Sequence, residues 1–234
     1  MNFERKLLPI KGDASFRKFY RQKIKKKSSI IVYSQKEKIK NLLNYDSINK
    51  LLIRKKINAP RLLSENYNKN LIEIEDLGTK TVFDILKKKN SNKLKIYKKI
   101  LPILIKMQKI KIKKIKNFKK KFYKIPTYSK KLIFSEANLF LDWYVSKVIH
   151  KNNKIRIKKK LKKIITSLIK KIKLSNNTFV HRDFHVSNLM INKNKISVID
   201  SQDAVYGNIT YDLASLIDDV RLKTSKNNKE LIYQ

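Results

Sequence analysis

Residues 188–200 carry the pattern that most narrows what this chain can fold into. Leu189-Met190-Ile191 and Ile196-Ser197-Val198-Ile199 are short apolar runs, and Asn192-Lys193-Asn194-Lys195 lies between them. Two such runs around an Asn-rich tip predict a β-hairpin. Asn188 stands immediately before the first run and Asp200 immediately after the second. Antiparallel pairing returns the second strand to the start of the first, so an amide oxygen and a carboxylate should face one point from two backbones. Mg²⁺ accepts sparse hard-oxygen ligation of this kind when phosphates and water complete its shell.

The approach to the hairpin sharpens this reading. Val180-His181-Arg182-Asp183-Phe184-His185-Val186-Ser187-Asn188 fits H-R-D-x-x-x-x-N, the catalytic-loop pattern of phosphoryl-transfer kinases. In that pattern Asp183 reaches an acceptor hydroxyl, while Asn188 turns back to hold a metal on the nucleotide phosphates. An isolated HxD loop arises often by chance; the loop, the hairpin spacing and the closing Asp together are far more specific. Asp183 is therefore the expected catalytic residue, Asn188 and Asp200 the expected metal ligands, and ATP with Mg²⁺ the expected cofactors.

The rest of the chain predicts an α+β, two-lobed architecture. Strands are expected at Phe16–Arg21, after a Gly12-Asp13 turn, at Ser29–Tyr33 and at Asn70–Glu75. A helix is expected over Lys36–Lys56, with Ile39, Leu42, Leu43, Leu51 and Leu52 at helical spacing and Ala59-Pro60 breaking the chain beyond it. Asp76-Leu77-Gly78 reads as the connection between lobes. From Thr81 the pattern turns helical: Leu94–Gln108 with a kink at Pro102, Lys158–Lys173, and Tyr211–Val220 with Leu213, Leu216 and Ile217 buried. In Lys158–Lys173 the stripe Leu161, Ile164, Ile165, Leu168, Ile169 and Ile172 is expected to face the core. Leu139, Phe140 and Trp143 likewise read as core, and Lys111–Lys124 as a solvated connection. Residues 1–77 are thus expected to form a β-rich, nucleotide-binding N-lobe, and residues 78–234 a mostly helical C-lobe that holds the catalytic and acceptor-binding groups.

Composition enters through charge. Lys and Arg number 58 against 18 Asp and Glu, a net +40, and a surface so basic attracts polyanions. Lys, Ile and Asn crowd the chain while there are only 3 Gly and 4 Pro, the bias of AT-rich codons, which loads lysine onto solvated faces without any nucleic-acid role. No specific nucleic-acid partner is expected. There is no cysteine, which excludes disulfides and thiolate metal sites. No apolar run approaches a membrane span and the start lacks a signal-peptide core, so a cytoplasmic protein without membrane contact is expected.

His181–Met190 (HRDFHVSNLM) with Ile199–Leu216 (IDSQDAVYGNITYDLASL) resembles the aminoglycoside phosphotransferase and choline kinase superfamily, and within it the anomeric N-acetylmuramate/N-acetylglucosamine kinases of cell-wall sugar recycling. Gly12–Arg17 (GDASFR), Glu73–Gly78 (EIEDLG) and Glu136–Tyr144 (EANLFLDWY) fit the same pattern in order. The resemblance implies a protein-kinase-like fold and ATP-dependent phosphorylation of an amino-sugar C1 hydroxyl. Other members phosphorylate aminoglycosides or choline; a decayed, kinase-like scaffold with a basic nucleic-acid-binding surface is the remaining alternative. The resemblance further implies that Asp13 and Ser15 cover the phosphates through their backbone, and that Glu75 and Leu77 line the adenine pocket. Asp212 would buttress the catalytic loop, and Arg182, Gln202 and Asp203 would meet acceptor hydroxyls. Two departures stand out. The strand at Ser29–Tyr33 lacks a phosphate-binding lysine, for which Arg17 or another N-lobe cation would substitute, and Ser201 stands where the family often has an aromatic residue. Family members continue beyond the Tyr211 helix, so a truncated C-lobe is expected.

Overall fold

A computed structural model describes residues 6–10, 17–25, 27–88, 91–173 and 175–233. Period-two alternation builds the first sheet. In β5 (Leu71–Glu75) Ile72 and Ile74 are buried between half-exposed neighbours, and in β3 (Lys27–Ser34) Ile30 and Val32 are buried likewise. These strands pair antiparallel with Ile30 opposite Ile74 and Val32 opposite Ile72, which puts all four side chains on one face. β1 (Lys6–Ile10), β2 (Arg17–Ile24) and β4 (Leu62–Asn66) complete a five-stranded sheet in the order β1-β2-β3-β5-β4. The apolar face is covered by α1 (Lys40–Arg54), whose Leu42 and Tyr45 join Ile30, Val32, Ile72 and Ile74 in one buried cluster. β1 and β4 were not anticipated: Leu7 and Leu8 are exposed and β4 is almost wholly so, so neither carries the alternation that marks a half-buried strand.

Beyond β5, Thr81 opens α2 (Val82–Leu86) with a reciprocal cap. Its hydroxyl accepts from Asp84 N at 3.1 Å, and the Asp84 carboxylate accepts from Thr81 N at 2.8 Å. In α3 (Lys93–Gln108) Tyr97, Ile100, Leu104 and Met107 recur at helical spacing and are buried, and Pro102 lies inside the helix without ending it. The Lys111–Lys124 stretch is not a plain solvated connection. It contains a hairpin of β6 (Lys114–Lys116) and β7 (Phe122–Lys124), with Ile115 buried between exposed lysines. Asn117 forms its turn, its side-chain oxygen accepting from Lys119 N at 3.0 Å and Lys121 N at 3.2 Å.

α4 (Lys130–Leu139) continues through a wide π-type turn at Phe140–Val145 into α5 (Ser146–Val148), and α6 (Lys151–Lys171) packs back on α4. Here two expectations fail. In the α6 stripe only Ile169 is buried; Leu161 and Ile165 are half-buried, while Ile164 (46%), Leu168 (60%) and Ile172 (39%) are exposed. Trp143 is 66% exposed, with Leu139 and Phe140 also on the surface. Periodicity shows that a helix has an apolar side but not that a second layer lies against it, and α6 packs on α4 and the π-type turn with most of its stripe left outside that contact.

β8 (Thr178–Val180) pairs antiparallel with β11 (Val205–Gly207), bracketing the predicted hairpin of β9 (Leu189–Asn192) and β10 (Lys195–Val198). α7 (Tyr211–Ile217) buries Leu216 and Ile217, and α8 (Lys226–Tyr233) packs on α3. The main core joins α2, α3, the hairpin and β8 through Leu86, Tyr97, Leu104, Phe179, Phe184 and Leu189. Among the described residues no helix is long and apolar enough to cross a membrane.

Candidate active site

The hairpin is in the expected register. Leu189 faces Val198 and Asn192 faces Lys195, and Ile199 N donates to Asn188 O at 3.0 Å to close the ladder. Asn188 and Asp200 are therefore neighbours at its open end. The Asn188 amide nitrogen donates to Asp183 O at 3.0 Å and lies 3.2 Å from His185 Nε2. With its nitrogen committed to the catalytic loop, the amide presents its oxygen elsewhere. Asp200 adopts φ +65°, an uncommon left-handed conformation that Asp tolerates better than most residues. Burial, then the nearby Asp200 carboxylate, raises the Asp183 pKa above the usual carboxylate value, with Arg182 opposing.

The catalytic loop is clamped from below. Asp212, near the start of α7 and 1% exposed, accepts from His181 N at 2.7 Å and Arg182 N at 3.0 Å. Burial pushes the Asp212 carboxyl up to about 7, although both N–H donors favour its ionised form. The clamp supports a strained turn, because Arg182 sits at φ +77°, where non-glycine side chains are disfavoured. His181 is fully buried and burial lowers its pKa to about 4, so it is a neutral packing residue against Phe184.

On the sheet side, Arg17 at the start of β2 reaches across to the hairpin. It donates to Gln202 Oε1 at 2.8 Å and forms an ion pair with Asp200. Gln202 also donates to Asp203 Oδ2 at 2.8 Å and is 3% exposed, so its amide meets Arg17 and Asp203 rather than open solvent. Asp203 is exposed at the mouth. Arg182 donates to Glu136 and, at 3.3 Å, to Asp203 O; Glu136 also accepts from the Tyr128 hydroxyl, and Tyr128 packs edge-on against Tyr211. Asp183, Asn188, Asp200, Arg17, Arg182, Gln202 and Asp203 thus form one neighbourhood.

Glu75 and Leu77 stand apart from that set, at the junction after β5. Glu75 N donates to Arg61 O at 2.9 Å, and both residues are half-buried. The adjacent Asp76 is gripped by Arg21 at 2.7 and 3.1 Å, and Arg21 also donates to Gly78 O at 2.9 Å. Burial works against Asp76 ionisation, but the Arg21 and Gly78 donors outweigh it and lower its pKa. Gly78 has φ +95°, a conformation glycine alone adopts readily. Asp13 and Ser15 lie outside the described residues. Glu136, Tyr128, Tyr45 and Asn49 are the polar groups of this region that sequence reasoning assigned no role. Glu136 lies in a segment noted for its resemblance, and Asn49 betrays itself only as a polar residue within the buried side of α1.

The donor set suits Mg²⁺ carried with a nucleotide. Asn188 and Asp200 offer hard oxygens, and among the described residues no group of three or more His, Cys, Asp or Glu is arranged to hold a metal alone. An ion at this point would complete its shell with phosphate and water oxygens, as Mg²⁺ commonly does.

A family model described as "Phosphotransferase enzyme family" matches residues 6–227. The chain belongs to that phosphotransferase family. The N-acetylmuramate/N-acetylglucosamine kinase of Pseudomonas aeruginosa is 27% identical over 213 residues, covering 91% of this chain and 60% of that protein. The protein of the same name from Neisseria meningitidis is 26% identical over 210 residues, covering 89% and 60%. The chain therefore spans about 60% of the length of these curated relatives. Among solved structures, the ADP-bound aminoglycoside phosphotransferase APH(2'')-Ib superposes with a TM-score of 0.69 at 13% identity, covering 98% of this chain and 77% of that one. The choline kinase of Streptococcus pneumoniae gives 0.63 at 14% identity, covering 97% and 73%. The two-lobed, protein-kinase-like architecture of the phosphotransferase family is the fold of this chain.

Proposed function

We propose that this phosphotransferase transfers the γ-phosphoryl group of ATP to the anomeric hydroxyl of N-acetylmuramate or N-acetylglucosamine. The observation that carries the reading is the convergence of Asp183, Asn188 and Asp200 at the open end of one hairpin. The names of the curated relatives supply the acceptor. In the reaction the acceptor oxygen forms a bond to the γ-phosphorus as the bond from that phosphorus to the β-bridging oxygen breaks. ADP departs, and the hydroxyl proton passes to Asp183. Transfer of this kind has a loose transition state, so Asp183 acts chiefly by orienting the hydroxyl and accepts the proton late. Burial, which raises its pKa above the usual carboxylate value, favours the protonated form that this transfer leaves behind. Asn188 and Asp200 would hold Mg²⁺, which neutralises charge on the bridging phosphates when bound. Glu75 and Leu77 would meet the adenine through the backbone, and Asp203 and Arg182 would face the acceptor.

A cationic acceptor, of aminoglycoside or choline type, is the second reading. It is favoured by the acidic groups Asp183, Asp203 and Glu136 around a mouth where Arg182 supplies the balancing charge. ADP release with Mg-ATP and each acceptor in turn tests both. Turnover dependent on N-acetylmuramate or N-acetylglucosamine, and abolished by Asp183→Asn, is the expected result. Turnover confined to cationic acceptors would transfer the assignment to the second reading, and the absence of any acceptor-dependent ADP release would sink both.

A further inference from the structure

Ser201 follows Asp200 and is fully buried. Its hydroxyl donates to Asn49 Oδ1 at 2.7 Å, joining two residues 152 positions apart. Asn49 lies on α1 and is 3% exposed, one turn beyond the buried Tyr45. Tyr45 in turn packs against the Arg17 guanidinium, whose carbon is 5.6 Å from the ring centroid; Phe19 flanks the same group at 5.4 Å. Arg17 grips Asp200 and Gln202. The segment 200–202 is thus held at three consecutive side chains by α1 and β2. A buried hydroxyl and a buried amide are unfavourable in an apolar setting unless paired, so filling volume does not explain this choice of residues.

We propose that Asn49 and Ser201 are positioning residues, tying α1 to the Asp200 loop so that the carboxylate meets the divalent cation carried with the nucleotide. The inference rests on the phosphotransferase reading of the site. It also explains how Ser201 serves at a place where an aromatic side chain would act by bulk: a directed hydrogen bond replaces packing. Through Leu42 and Tyr45 the same helix is fixed to the sheet, so the placement of a C-lobe metal ligand is set by N-lobe packing.

The test is Mn²⁺ binding to the whole chain with a non-hydrolysable ATP analogue, read from the electron paramagnetic resonance signal of free Mn²⁺. Wild type, Ser201→Ala, Asn49→Ala, the double variant and Ser201→Thr are compared, with metal-free nucleotide affinity and melting temperature measured alongside. Each alanine variant should raise the Mn²⁺ dissociation constant about tenfold, and the double variant should add little more. Metal-free nucleotide affinity should stay unchanged, and Ser201→Thr, which keeps the hydroxyl, should recover most of the metal affinity. Ser201→Ala removes a single oxygen and carries the test if Asn49→Ala folds poorly. Unchanged Mn²⁺ affinity in Ser201→Ala, additive losses in the double variant, or an equal loss of metal-free nucleotide binding would each overturn the positioning role. Failure of wild type to bind Mn²⁺ with nucleotide would instead remove the reading of Asn188 and Asp200 as metal ligands, and this inference with it.

Discussion

Asp183 is half-buried and Asp212 fully so, yet the two acids answer to different physics. In the proposed reaction Asp183 orients the acceptor hydroxyl and carries little of the fold, so Asp183→Asn should lower turnover by about 10³-fold or more while the melting temperature stays within a few degrees. Coupled ADP-release kinetics and thermal melts on the same preparation check this. Asp212 receives two backbone N–H groups beneath a turn containing Arg182 at positive φ. Asp212→Ala should leave both donors buried without a partner and reduce stability by about 2–4 kcal/mol, measured by urea denaturation. Retained stability in Asp212→Ala would show that water replaces the carboxylate. The placement of these residues was partly legible beforehand: the loop motif and the hairpin brought Asp183, Asn188 and Asp200 to one end, and Asp212 was expected beneath the loop. Glu136, Tyr45 and Asn49 were not, because each earns its place from a partner distant in sequence.

Elements were legible in proportion to how local their causes are. The β9–β10 hairpin needs two apolar runs and a turn, all within residues 189–198, and it stands where expected. The β6–β7 hairpin was missed because lysine dominates its composition, although Ile115 between Lys114 and Lys116 carries the alternation. The α6 stripe marks the opposite error, a correct helix with its apolar side assigned to a core it does not reach. The difference can be measured. Ile164→Lys on the exposed side of α6 should change stability by less than about 0.5 kcal/mol, whereas Leu104→Ala in α3 should cost about 2–5 kcal/mol. Denaturant midpoints for the pair decide it, and a large loss in Ile164→Lys would mean that the stripe is covered in solution. At the start of α2, Thr81→Ala removes one half of the reciprocal cap and should cost about 1 kcal/mol, seen as a melting temperature lowered by a few degrees.

The whole molecule carries +40, and most of its lysines have no acidic partner to choose from. Self-repulsion should therefore limit stability at low ionic strength, and the melting temperature should rise as NaCl is raised from about 10 mM to 300 mM, where the screening length falls well below the size of the domain. A melting temperature indifferent to salt would mean that the charge is spread too thinly to matter. The same scale sets the order of assembly. Arg17 meets Asp200 across 183 positions and Asn49 meets Ser201 across 152, so contacts between residues far apart in sequence close the site. A ribosome makes the sheet and α1 first, and for most of translation those elements are complete while the segment that they will grip has not yet been synthesised. The nascent chain thus passes through a long interval with its first third made and the segment that third grips still to come, and the time for which chaperones and proteases can act on the open cleft is set by how soon residues 200–202 emerge.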